Sequence, residues 1–436
     1  MPRITALVPL LALVALPAGS IRAQPVSRID RDRASVMVEQ ARKDIERHYY
    51  DSTYGGVDLA ARFSLAEQGI QRATSLGELF GHIAAAVAEL DDSHTFFLPP
   101  QQTVRADYGW EMQMIGDSCF VTRVKPGSDA AAKGLREGDG LVTVNGLAPT
   151  RENMWKLVYL FHLLQPRGSL GVVVRSPGGE LRELTLTAKA RPSKRVIDLT
   201  GSDGGHDIWT LINEANADAY EDRPRYVELG PDVLLWKLNG FDSFDRSVDE
   251  GIKRARKAGT VILDLRGNSG GHEKALLSLI GAISDGDVAV GTRRERTRST
   301  PIVAKGHGDK AFNGRLIILV DSESASASEI IARTVQLGNR GIVVGDRTAG
   351  AVMLGRSFSH LIGAGSVVAY AVSVTIADVV MQDGGRLEAT GVTPDHLVIP
   401  TGADLAAGLD PALSRAAELA GVALTPAQAG ALLRKR

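Results

Sequence analysis

Ser326 stands in the run Asp321-Ser322-Glu323-Ser324-Ala325-Ser326-Ala327-Ser328-Glu329. The apolar segment before it, Leu316 to Val320, reads as a buried strand, and Ile330 to Val335 after it reads as a helix. A serine at a strand-to-helix junction sits where unpaired N–H groups and the helix dipole favour developing negative charge. That setting suits a nucleophile beside half of an oxyanion hole. It suits equally a serine or aspartate that only caps the helix, and the segment alone leaves both readings open.

Other segments carry residue types that could join such chemistry. Asp264-Leu265-Arg266-Gly267-Asn268-Ser269-Gly270-Gly271 ends a strand with glycines, which let a backbone turn sharply and present N–H groups. No Lys-Ser/Thr follows those glycines, which argues against a phosphate-binding P-loop. His94 follows Ser93 in Asp91-Asp92-Ser93-His94-Thr95, while His272 follows the glycines directly; either imidazole is a candidate general base. Glu388 opens Glu388-Ala389-Thr390-Gly391-Val392-Thr393-Pro394-Asp395. Each has a plainer role: a structural histidine, a capping serine after Asp91-Asp92, a surface ion pair of Glu388 with Arg386.

The elements that must position these residues fall into blocks. Residues from about Arg31 to Leu90 place Val38, Ala41, Ile45, Leu76, Leu79, Phe80, Ile83 and Val87 at helical spacings, which predicts a helical N-terminal domain over 24–103. Over 104–190 short strands alternate with glycine turns: Phe120 to Val124, a short helix at Ala130 closed by Gly134, a turn at Asn145-Gly146, a helix from Met154 to Leu164, and two further strands. This order resembles a PDZ domain, with Asp129 to Gly146 carrying most of the likeness. Tyr108-Gly109-Trp110 then falls where that family binds a peptide carboxylate by strand addition. A small β domain without a peptide ligand is the plainer reading. Residues 191–225 read as a linker. From Tyr226 strands and helices alternate to the end, giving an α/β core over 226–436 with strands apolar on both faces. Asp285 to Phe312, polar and rich in Arg and Gly, reads as a long irregular connection.

The PDZ-like block, the glycine loop, the serine run, Gly345-Asp346-Arg347-Thr348-Ala349-Gly350-Ala351 and the Glu388 segment, in that order, resemble the tricorn-core and C-terminal processing serine peptidases. The resemblance implies a Clp protease/crotonase-like β-β-α core. It makes Ser326 the nucleophile. The processing enzymes pair that serine with a lysine at the position of Ala351, which carries no ionisable group here. The tricorn branch instead implies His94 as general base, held by Ser93 and Glu388, with oxyanion donors from Ala327 and from Gly270 or Gly271. A histidine titrates near 6.5 when unperturbed, and a neighbouring carboxylate raises that value. A non-catalytic member whose cleft binds a peptide or an apolar ligand is the alternative.

Composition narrows the rest. Net charge is −1, so nothing in the electrostatics favours nucleic acid. Cys119 is the single cysteine, which excludes an intrachain disulfide and a cysteine-based metal site. The resemblance implies no cofactor or metal and a peptide or protein substrate as partner, with homo-oligomerisation left open. Arg3, an apolar stretch from Ile4 to Pro17 and small residues up to Ala23 form a signal-peptide pattern over 1–23, with cleavage after Ala23 or Ser20. A periplasmic or secreted location follows from that pattern.

Overall fold

The computed structural model describes residues 26–100, 104–192, 225–241, 246–363 and 367–433. The expected signal peptide and residues 193–224 of the expected linker lie outside them. No described helix is long and apolar enough to cross a membrane.

The strands after Tyr226 form a six-stranded sheet in the order His396–Leu397, Ile342–Gly345, Arg315–Val320, Thr260–Asp264, Val233–Lys237, Arg225–Gly230. Neighbours are parallel except the last pair, a hairpin. Arg315–Val320 is central, and its side chains alternate between two cores. Leu316, Ile318 and Val320 pack with Ala327, Ile331 and Val335 of the helix Ala327–Leu337. Ile317 and Leu319 pack with Ala412, Leu413 and Ala416 of the helix Pro411–Leu419. Burial on both faces explains why this strand reads as an unbroken apolar run. The carboxyl ends of Thr260–Asp264 and Arg315–Val320 lead into the glycine loop and the serine run, the usual place for a site in a parallel sheet.

A second sheet is built on the long strand Val368–Met381. Phe96–Leu98, Met353–Ile362 and Val288–Glu295 all pair with it antiparallel. Val288–Glu295 pairs in turn with Ser299–Ala304. The expected irregular connection across 285–312 is therefore a β-hairpin over much of its length. Its solvent-facing Arg, Thr and Ser side chains hide the alternation that marks a strand.

Helices Arg28–His48, Leu59–Arg72 and Leu76–Ala88 form the N-terminal bundle, each capped by a side chain: Ser27, Asp58 and Ser75. The chain then enters Phe96–Leu98, so Ser93 and His94 are delivered to the edge of the second sheet. Residues 110–187 hold a five-stranded antiparallel sheet, Trp110–Ile115, Ser118–Val124, Gly140–Val144, Ser169–Arg175 and Leu181–Thr187. Its Asn145-Gly146 turn has positive φ at both residues, 47° and 79°, as a tight hairpin turn requires. Phe80, Phe97, Tyr159, Phe161 and Tyr370 belong to one apolar cluster that joins this sheet, the helical bundle and the second sheet.

Candidate active site

Ser326 precedes the helix Ala327–Leu337 with φ 53° and ψ −114°, a backbone conformation uncommon for a non-glycine residue and typical of strained functional turns. Its neighbours in the run are spoken for. Ser324 Oγ donates to Leu265 O at 2.8 Å and Ser328 Oγ to Asn268 O at 2.9 Å, both fully buried. Ser326 is the part-exposed serine of the three.

Ser93, His94 and Glu388 come together across 295 residues of sequence. Ser93 N–H donates to Glu388 Oε1 at 2.8 Å and Ser93 Oγ to Glu388 Oε2 at 3.0 Å. Ser93 Oγ lies 2.8 Å from His94 Nδ1. Val352 N–H also donates to Glu388 Oε2, at 2.7 Å. Among the described residues Ser93 caps no helix, and Arg386 pairs with Asp378 at 3.1 Å, which leaves Glu388 to Ser93 and Val352. Beneath them Asp92 accepts the N–H groups of His94 and Thr95 and the hydroxyl of Thr375.

The hydrogen bonds of adjacent residues link Ser93, His94 and Glu388 to Ser326. Ser326 N–H donates to Ala351 O at 3.0 Å, and the following residue, Val352, holds Glu388. Gly355, on the strand after it, makes room for the imidazole: a Cβ there would stand 3.1 Å from His94 Cβ and 3.2 Å from Cδ2.

Burial sets the titration of His94 and Glu388. It pushes the His94 imidazole, 3% exposed, down to about 4, opposite to the rise expected from a neighbouring carboxylate. It pushes Glu388 up to about 8, reinforced by the Asp92 carboxylate and opposed by its hydrogen-bond donors.

Gly270 has φ 104°, and a Cβ there would lie 2.7 Å from Ser326 Cβ and 3.0 Å from Ala327 N. Only glycine permits that approach. The Gly270 N–H itself donates to Asn268 Oδ1 at 2.9 Å, so of the two glycines Gly271 is the one whose amide is not committed to that side chain. Asn268 also donates to Leu238 O at 3.0 Å and so fixes the loop.

Ala351, at the lysine position of the processing enzymes, is 2% exposed. His272 is half-buried at the start of the helix Glu273–Ala282, and no group among the described residues hydrogen-bonds its ring. Tyr108 is buried; its hydroxyl donates to Phe161 O at 3.0 Å and accepts Arg167 N–H at 3.0 Å. Gly109 N–H donates to Asp107 Oδ1 at 3.0 Å. Trp110 opens the edge strand and lines a groove against the helical segment Met154–Leu164, together with Met112, Met114, Val158 and Phe161. The groove reaches Ser322, Glu323 and Ala349 of the core.

The site also uses residues that the sequence reading passes over: Asn268, Glu329 and Val352. Only Glu329 carries a local signal, the Ser-x-x-Glu spacing of a capping box. Among the described residues no group of three or more His, Cys, Asp or Glu side chains could hold a metal ion.

Residues 232–398 match the model of peptidase family S41. That segment resembles the family, and the chain is similar to C-terminal processing peptidases. The tail-specific protease of Haemophilus influenzae is 26% identical over 77% of this chain and 48% of its own length, so the chain spans about half of that relative. The chloroplastic C-terminal processing peptidase of Tetradesmus obliquus is 24% identical over 88% of this chain and 80% of its own. The crystal structure of mature CPAF shares the fold, with a TM-score of 0.64 and 16% identity over 86% of this chain and 94% of that one. The family match and the names of these relatives support a serine-type peptidase.

Proposed function

We propose that this chain is an exported serine endopeptidase of the S41 type, in which Ser326 attacks the peptide carbonyl and His94 is the general base. The observation that carries the reading is the chain Glu388–Ser93–His94. Ser93 has one hydroxyl proton and gives it to Glu388 Oε2. Its oxygen then accepts from His94 Nδ1–H, which leaves Nε2 with the free lone pair. Nε2 takes the Ser326 proton during attack and returns it to the leaving amine; the ionised Glu388, through Ser93, offsets the imidazolium formed in between. The N–H groups of Ala327, at a helix start, and Gly271 receive the oxyanion. Residues 104–190 act as a PDZ-like unit. Its edge strand Trp110–Ile115 and apolar groove take an extended peptide segment. The pattern over 1–23 supports export.

The test is hydrolysis of a fluorogenic peptide by residues 24–436. His94→Ala is expected to lower kcat by about 10³-fold or more, in the range for losing a triad member, and His272→Ala to leave it within a few-fold. Retained activity in His94→Ala with loss in His272→Ala rules out the relay. Peptide binding with no hydrolysis by the wild-type chain supports a non-catalytic cleft instead.

A further inference from the structure

Ser326 keeps φ 53° although it is not glycine. A conformation of that kind persists only where the surroundings over-determine it. The group that does so here is three residues on. Glu329 is 0% exposed, and no cation among the described residues pairs with it. Its Oε2 accepts Ser326 N–H at 3.1 Å and Ala351 N–H at 2.8 Å. Its Oε1 accepts Gly350 N–H at 2.8 Å and the Thr348 hydroxyl at 2.5 Å. Thr348 Oγ1 itself accepts Val392 N–H at 2.6 Å, so its own proton is directed at Glu329. Every partner donates. A carboxylate accepts four such bonds, whereas a carboxylic acid or an amide would turn a proton toward one of the donors.

The next amide along, Val352, goes to Glu388. Three consecutive N–H groups, Gly350, Ala351 and Val352, are thus held by two carboxylates, Glu329 fully buried and Glu388 half-buried. One belongs to the helix that starts at Ser326, the other to the relay that holds His94. The carbonyl of the middle residue, Ala351, completes the tie by accepting Ser326 N–H.

We propose that Glu329 is a positioning residue for catalysis: its carboxylate holds Ser326 in its reactive backbone conformation and, through residues 350–352, sets the nucleophile against the base. A plain helix cap differs in its demands, because a capping box accepts Glu or Gln alike.

This inference rests on Ser326 being the nucleophile, and the experiment separates the two. Wild-type protein is first labelled with a fluorophosphonate and the adduct mapped by peptide mass spectrometry; no adduct on Ser326 removes the reading of function. With that adduct established, Glu329→Gln is assayed on a fluorogenic peptide that the wild type cleaves. The expected result is a fall in kcat of about 100-fold, the cost of misplacing a reacting group by roughly 1 Å, with KM within about twofold. A folded Glu329→Gln protein with wild-type kcat, or one altered only in KM, overturns the inference. If Glu329→Gln does not fold, Thr348 gives the same answer. Thr348→Val is expected to lower kcat about tenfold at unchanged KM, the worth of one charge-assisted hydrogen bond, and Thr348→Ser to restore it. Equal kcat in the Val and Ser variants overturns the inference too.

Discussion

Ser93 Oγ lies 2.8 Å from His94 Nδ1 and gives its own proton to Glu388. The serine hydroxyl therefore stands where a carboxylate stands in a Ser-His-Asp triad, with Glu388 one bond further out. The histidine tautomer depends on Glu388 being ionised, although Glu388 does not touch the imidazole.

This dependence fixes the pH profile. His94, pushed down to about 4 by burial, is already a neutral base at pH 6. Glu388, pushed up to about 8, is not yet ionised there. The limb of kcat/KM on the acidic side is expected to rise through about 8 rather than 6.5, and Glu388→Gln should lower the rate and flatten the limb. A limb near 6.5 that survives in Glu388→Gln would show that the relay carboxylate does not control the base.

Stability should run the other way. Glu388 binds its proton more tightly folded than unfolded, where a glutamate titrates at about 4.5. Its contribution is present in full below that value and is lost as pH rises toward 8. Glu323, raised to about 8 by burial and the nearby Asp321 carboxylate, acts in the same direction. Denaturant unfolding at pH 5, 7 and 9 is expected to show Glu388→Gln gaining on the wild type with each step. A constant difference between the two proteins across that range contradicts the assignment.

Gly355 offers a test of geometry without touching the relay chemically. A methyl group there would meet His94 Cβ and Cδ2 at 3.1 and 3.2 Å and Ser373 Oγ at 3.3 Å. The strand Met353–Ile362 is fixed by its pairing with Val368–Met381, so the imidazole must give way. Gly355→Ala is expected to cost about 10- to 100-fold in kcat, as small misplacements of catalytic groups do, with little change in the unfolding midpoint. Wild-type kcat in this variant would mean that His94 has slack the account does not allow.

The serine run was legible locally because three signals coincide there: an apolar strand, a serine and a helix start. The glycine loop was legible for a similar reason, since only glycine tolerates φ 104° at Gly270. That Ser93, His94 and Glu388 belong together was reachable only through family resemblance, because no local pattern joins residues so far apart in sequence. How hydrogen bonds are shared out was not legible at all. Asn268 takes the Gly270 amide, Asp107 the Gly109 amide, and Phe161 O the Tyr108 hydroxyl. Each depends on tertiary contacts or exact turn geometry. The hairpin within 285–312 and the strand Met353–Ile362 escaped for another reason: polar side chains on their exposed faces blur the period-two signal.

The most direct measurement is the site of fluorophosphonate modification in the wild-type protein and in His94→Ala, mapped by peptide mass spectrometry. A single adduct on Ser326 in the wild type, formed at least about 100-fold more slowly in a folded His94→Ala protein, is the predicted result, in line with the usual worth of a general base. An adduct on Ser324 or Ser328, or equal labelling rates in the two proteins, would contradict the account.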